Sequence, residues 1–132
     1  MLKKWFVILS IIVVLAVGCL IESNFINGAF NGLEESLVEY KTRIEQTVEE
    51  EIGSDENIEF VQSLHADWHK KLKILKCLIW HSGVKDVEVG LSRIETYSAE
   101  KNKTETLAEI NALIDFLAHY SDDFLVTIEN IF

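Results

Sequence analysis

The sequence predicts an all-α protein: an N-terminal transmembrane helix followed by a small antiparallel helical bundle. Three observations predict it. The 132 residues contain no proline, the chief breaker of helix interiors. Trp5 to Ile21 is an apolar run without a charge, at the short end of the ~17–25 residues that cross a bilayer's hydrocarbon core. From Ile26 onward apolar residues recur every three or four positions, the period of one helix face. No strand-like alternation, long repeat or low-complexity tract competes with that pattern.

Lys3 and Lys4 precede the apolar run, and the next basic residue is Lys41. By the positive-inside rule, residues 1–4 form a cytoplasmic tip, residues 5–21 the anchor, and everything beyond lies outside the cell membrane, in a single-pass arrangement. A second possibility is lipidation at Cys19. Ala16-Val17-Gly18-Cys19 has the small and apolar residues of a lipid-attachment box, after a positive n-region and an apolar h-region. Leu20 and Ile21 continue the run past the cysteine, where a mature lipoprotein carries a polar or small-residue tether. An uncleaved anchor fits better than that, or than a cleaved secretory peptide.

The charge is one-sided. The chain has 22 acidic and 12 basic residues, and no acidic residue precedes Glu22. Setting Lys3 and Lys4 aside leaves 10 basic against 22 acidic residues, a net −12 for the part after the anchor. Such a domain repels nucleic acid and anionic head groups. The two cysteines, Cys19 in the apolar run and Cys77 in a predicted helix, are not expected to pair, because a residue at lipid depth would have to meet one in the domain.

The elements follow in order. Ile26, Phe30, Leu33, Leu37, Tyr40, Ile44, Val48 and Ile52 form a stripe that predicts a stalk helix over residues 22–53. It joins the anchor to a bundle over residues 54–132. Gly28 and Gly32 weaken the join, and Gly53 reads as a C-terminal stop. Ser54 is placed to cap a second helix from about Asp55 to Trp80, with Asp55 and Glu56 in its first turn. Its stripe is Ile58, Val61, Leu64, Trp68, Leu72, Leu75 and Ile79, with Phe60, Ile74 and Leu78 as a second apolar edge. His81-Ser82-Gly83 reads as a turn. A third helix, about Val84 to Glu100, turns Val84, Val87, Leu91, Ile94 and Tyr97 inward. Asn102 followed by Glu105 resembles a capping box. It opens a fourth helix to about Tyr120 that buries Leu107, Ile110, Leu113, Ile114 and Leu117. Ser121-Asp122-Asp123 reads as the cap of a separate terminal turn, Phe124 to Phe132, docked back on the body. Connections this short imply antiparallel neighbours.

Few constellations carry chemistry. His65 and His69 share a helix face at i, i+4 and are weak metal candidates. A metal centre needs three or four ligands, and the Glu that follows the first His of a zincin helix is missing here. Flanking the buried stripe is the simpler role for both. Lys70, Lys71, Lys73 and Lys76 form a basic patch, either paired with neighbouring glutamates or docking an acidic partner. The acidic stretch from Glu49 to Glu59 lacks the alternating ligands and central glycine of a calcium loop. Trp68 belongs to the core stripe, whereas Trp80, beside His81 at a helix end, is a candidate contact residue. Gly28 and Gly32 have the small-xxx-small spacing of close helix contacts, at the membrane edge. Asn102-Lys103-Thr104 fits a glycosylation sequon, at chance frequency. No phosphate loop, activated nucleophile or paired carboxylate set is recognisable, so no enzyme activity and no cofactor are expected.

Several segments together resemble a known family. These are the Lys-flanked anchor leading into "ESNFINGAFNGLEESL", Trp68 with "HKKLKIL", His81 at the following turn, and "LVTIENIF" from Leu125 to Phe132. They are similar to a family of small membrane-anchored bacterial proteins described only as a domain of unknown function, DUF family 4363. The resemblance spans nearly the whole chain. It implies an all-helical extracytoplasmic domain and brings no activity, ligand or catalytic residue. Its pattern has no lipid-attachment cysteine, which makes Cys19 look incidental. Relatives encoded beside a multi-spanning membrane protein suggest a membrane-protein partner. The sequence thus points to a non-enzymatic interaction or accessory subunit. Its contact residues would be Trp80, His81, Lys70, Lys71, Phe124 and Phe132, and self-association through the anchor is also open. A metal- or ligand-sensing domain is the alternative.

Overall fold

The computed structural model describes the backbone of residues 1–78 and 81–131 and the side chains of residues 1–74 and 84–120. Helix α1 spans Leu2–Gln46, α2 Asp55–Leu78, α3 His81–Ala99 and α4 Lys103–Ile131, with a 3-10 turn at Glu49–Glu51 between the first two. No strand occurs among the described residues.

Helix α1 is unbroken for 45 residues, about 67 Å at ~1.5 Å per residue, and runs straight through Gly28 and Gly32. Its two halves meet different surroundings. The apolar side chains up to Leu20 and Ile21 are exposed, whereas Ile26, Ala29, Phe30, Leu33, Leu37, Tyr40 and Ile44 are buried in the core. Residues 26–44, within the expected stalk, therefore form one wall of the bundle. The helix stops at Gln46, earlier than the stripe suggests. Thr47 takes an extended backbone and donates its N–H to the Ile44 carbonyl. Lys103 Nζ, at the start of α4, donates to the carbonyls of Glu45 at 3.2 Å and Thr47 at 2.9 Å, satisfying acceptors that a helix end leaves open. Val48 falls in the link and is 57% exposed, while Ile52 returns to the core.

Helix α1 packs on α2 and α4, and α3 packs on the same two, closing a four-helix ring. Arg43 meets Glu56 at one end of the α1–α2 pair, and Phe30 meets Trp68 towards the other. Arg93 faces Glu109, and Phe30 faces Tyr120. Sequential neighbours thus run antiparallel, as short connections require. The predicted stripes supply the interior: Val61, Leu64, Trp68 and Leu72 from α2, Val84, Val87, Leu91 and Ile94 from α3, and Ile110, Leu113 and Leu117 from α4. Of the expected second edge of α2, Phe60 packs against the core and stacks on Tyr40 at 5.4 Å between ring centroids, but Ile74 is exposed.

Two boundaries differ from expectation. Helix α3 begins at His81, so His81-Ser82-Gly83 lies inside the helix; α2 is helical through Leu78, and its expected end at Trp80 lies outside the described residues. Helix α4 continues without interruption to Ile131, so the terminal turn is not a separate element. The three-and-four spacing of Leu113, Leu117, Tyr120, Phe124, Ile128 and Ile131 runs through the supposed cap. Ser and Asp cost only tenths of a kcal/mol, up to ~0.7, in a helix interior, too little to break that register.

The end of the bundle away from the apolar run is tightly made. Lys101 has φ of 59°, its N–H bonds the Ser98 carbonyl at 3.1 Å, and the Asn102 N–H bonds Tyr97 at 3.0 Å. This is a Schellman ending for α3. Asn102 Oδ1 then accepts the Glu105 N–H at 3.1 Å, the expected cap of α4. Ser54 Oγ accepts the Asn57 N–H at 3.5 Å, a long version of the cap expected for α2. Gly53 has no positive φ and is no helix stop. It is where the α1–α2 link passes over the end of α3, and a Cβ there would lie 3.2 Å from the Ser98 carbonyl oxygen.

Candidate functional site

The most chemically loaded surface lies along the α2–α3 hairpin. His65 and His69 stand one turn apart on α2, and Glu88 and Glu95 stand two turns apart on α3. Because the pair is antiparallel, the four meet. His65 Nε2 is 2.8 Å from Glu88 Oε2, and His65 Nδ1 is 3.2 Å from Glu95 Oε2. His69 Nδ1 is 3.1 Å from the other Glu88 oxygen. Gln62 Nε2 donates to the second Glu95 oxygen at 3.3 Å. These residues, with Ala66 and Lys70, line an open surface cleft of about 630 Å³.

The environments of these groups are unequal. The side chains of His65 and Glu88 are only 22% and 23% exposed, whereas that of His69 is 64% exposed. Burial pushes the His65 pKa down, but the hydrogen bonds and charges of Glu88 and Glu95 outweigh it, and the net shift is upward from 6.5. Burial pushes Glu88 up, and its two histidine partners outweigh that, leaving it below 4.5. An imidazole whose two nitrogens both face carboxylate oxygens satisfies them only as the imidazolium, with two N–H donors. The arrangement therefore holds a proton.

Among the described residues the geometry is not that of a metal centre. The two imidazoles reach different oxygens of one carboxylate and bracket it rather than converge on a point. No group of three or more ligating side chains among the described residues is arranged to hold an ion. In the acidic stretch, Glu49, Glu50 and Glu51 point outward on the 3-10 turn, and Glu56 turns to Arg43 at 3.3 Å.

The other predicted contact residues are dispersed. Lys70 lines the histidine cleft, while Lys71 leans the opposite way, its Nζ 3.6 Å from where a Cβ on Gly32 of α1 would be. The lysine patch is thus divided between two faces. Trp80 and Phe132 lie outside the described residues. His81 opens α3 and Phe124 lies within α4, but their side chains, with those of Lys76 and Cys77, are also outside what is described. Cys19 is exposed in the apolar half of α1. Trp68 is core, 2% exposed and tilted against Phe30 at 5.8 Å. No local pattern in the sequence marks Glu88 or Glu95. Folding the α2 and α3 patterns back about their connection would have set them against the histidines.

The fold defines the class: an up-and-down four-helix bundle whose first helix extends into a segment long and apolar enough to cross a membrane. The chain belongs to the family described as Domain of unknown function (DUF4363), whose model matches residues 24–131. The match opens two residues before Ile26, the first core residue of α1. Neither the curated proteins nor the solved structures contain a match to the chain.

Proposed function

We propose that the protein is a membrane-anchored, non-enzymatic accessory subunit that presents its bundle to an integral membrane partner on the extracytoplasmic side. The unbroken α1 carries this proposal. The exposed apolar run ends at Ile21, the core begins at Ile26, and both lie on one helix, so the bundle has no flexible tether. A rigid mount fixes height and tilt above the bilayer, which suits a module that docks on a membrane neighbour. Confinement to one surface also raises its effective concentration there. The antiparallel order sets the start of α3 and the last turns of α4 at the end of the ring where the core of α1 begins, which supports their use in docking.

Lys3 and Lys4 before the run support a cytoplasmic N-terminus. Protease added to intact, wall-stripped cells should remove a C-terminal tag; a tag cut only after lysis overturns that orientation. An intact mass separates the uncleaved anchor from acylation at Cys19. The partner is tested by capture in mild detergent with the full chain and with a chain cut before Phe124. Recovery of the same membrane protein from independent preparations, weakened by the truncation, supports the proposal. Recovery of none counts against it.

A further inference from the structure

We infer that His65, as an imidazolium gripped by Glu88 and Glu95, is a proton-operated lock that fastens α2 to α3 and loosens when it loses a proton. The inference does not depend on the proposed anchoring or partner.

The geometry sets the mechanism. The α3 carboxylates approach the ring from both sides, at 2.8 and 3.2 Å. The neutral ring has one N–H and one lone pair. Deprotonation would therefore point a lone pair at a carboxylate oxygen, turning one attraction into a repulsion. Neither carboxylate is free to swing away: His69 holds the second oxygen of Glu88, and Gln62 that of Glu95. Among the described residues the cleft is lined from α2 and α3, and its remaining charged group is Lys70. Beneath the lock, Val61, Leu64, Val87, Leu91 and Ile94 stay buried. The expected response is therefore a loosened hairpin rather than a lost fold.

The pH window follows from the two shifts. His65 is raised above 6.5 in the fold, so its contribution is complete below pH 6.5 and fades as pH rises through the raised value. Glu88 is held below 4.5, so its contribution is complete above pH 4.5 and fades as pH falls through the lowered value. The lock is fully closed between these limits.

The test uses the full chain in detergent micelles, with histidine side chains followed by NMR and melting by circular dichroism. His65 should carry two ring protons at pH 6 and titrate with a midpoint above 6.5. Tm should fall from pH 6 to pH 8.5 by roughly 4 °C, the change expected if the lock carries ~1 kcal/mol in a domain of this size. That fall should vanish in His65→Gln and persist in His69→Gln. In Glu95→Gln the His65 midpoint should move down. A His65 midpoint at or below 6.5 overturns the inference in the wild-type chain itself, whatever the variants do. So does a His65→Gln chain that keeps the wild-type slope, or a His69→Gln chain that alone loses it.

Discussion

The hydroxyls of Tyr40 and Ser98 meet at 2.8 Å in the interior, tying α1 to α3 across the ring rather than around it. Both residues are 0% exposed. Burial pushes the Tyr40 pKa above its ordinary 10, against the pull of Ser98 and Arg43, so the phenol stays neutral and the pair is an ordinary hydrogen bond. The two single deletions should not cost the same. In Tyr40→Phe the Ser98 hydroxyl can turn back to the carbonyl one turn earlier, as helix serines do, and the loss should be about 1 kcal/mol. In Ser98→Ala the phenol is stranded without water, and the loss should approach ~3 kcal/mol. The double variant should be more stable than Ser98→Ala alone. Chemical denaturation of the four proteins measures the cycle, and equal single-variant losses would contradict it.

Ser98 also offers its backbone to the neighbouring turn. A Cβ on Gly53 would sit 3.2 Å from the Ser98 carbonyl and 3.4 Å from that of Ala99. Those oxygens belong to a hydrogen-bonded helix end and cannot withdraw as a side chain would. Gly53→Ala should therefore destabilise the bundle by about 1–3 kcal/mol, the usual cost of overpacking. Lys101→Gly should act oppositely. It removes a side chain from the left-handed region, worth ~1–2 kcal/mol, and gives back ~0.5–1 kcal/mol through a looser unfolded chain. Thermal melts of both variants check the pair of signs.

Added metal should leave the protein unchanged. A ligand that binds only the native state must raise Tm, and the histidine cleft brackets a carboxylate instead of gathering ligands around a point. Zinc or calcium at saturating concentration should shift Tm of the full chain by less than about 1 °C. A larger rise that disappears in the paired His65→Gln, His69→Gln variant would reassign the cleft as a metal site.

Periodicity made most of the bundle legible, because burial of one face is what a helix stripe encodes. Every core residue from Val61 to Leu72 on α2 and from Val84 to Ile94 on α3 was on a predicted stripe. Boundaries were less legible. Val48 continues the spacing of α1, yet the chain leaves the helix at Thr47, where Lys103, 56 residues away, bonds an open carbonyl. Ser121-Asp122-Asp123 carries capping chemistry that the apolar register simply overrides. The site was half legible. His65 and His69 announce themselves by spacing, but Glu88 and Glu95 are two among 22 acidic residues and gain meaning only once α3 is laid against α2. The Tyr40–Ser98 bond and the close approach at Gly53 belong to no local pattern at all.

The rigid mount can be tested apart from the bundle's stability. Asn24 is exposed, lies after the apolar run and precedes the first core residue by two positions. A proline there removes the N–H that bonds the carbonyl four residues earlier and clashes with that carbonyl. It is, however, well suited to the first position of a helix, and the bundle's share of α1 can restart from it. Asn24→Pro should therefore break the helix between anchor and bundle while leaving the core of Ile26, Phe30 and Trp68 intact. Tm should stay within about 2 °C of wild type, and spin labels on either side of residue 24 should show a broadened distance distribution. If the rigid mount serves docking, recovery of the membrane partner should fall in this variant although the bundle is folded. Undiminished recovery with a broadened distribution would show that the anchor only tethers, and a collapsed Tm would show that the two halves of α1 fold as one unit.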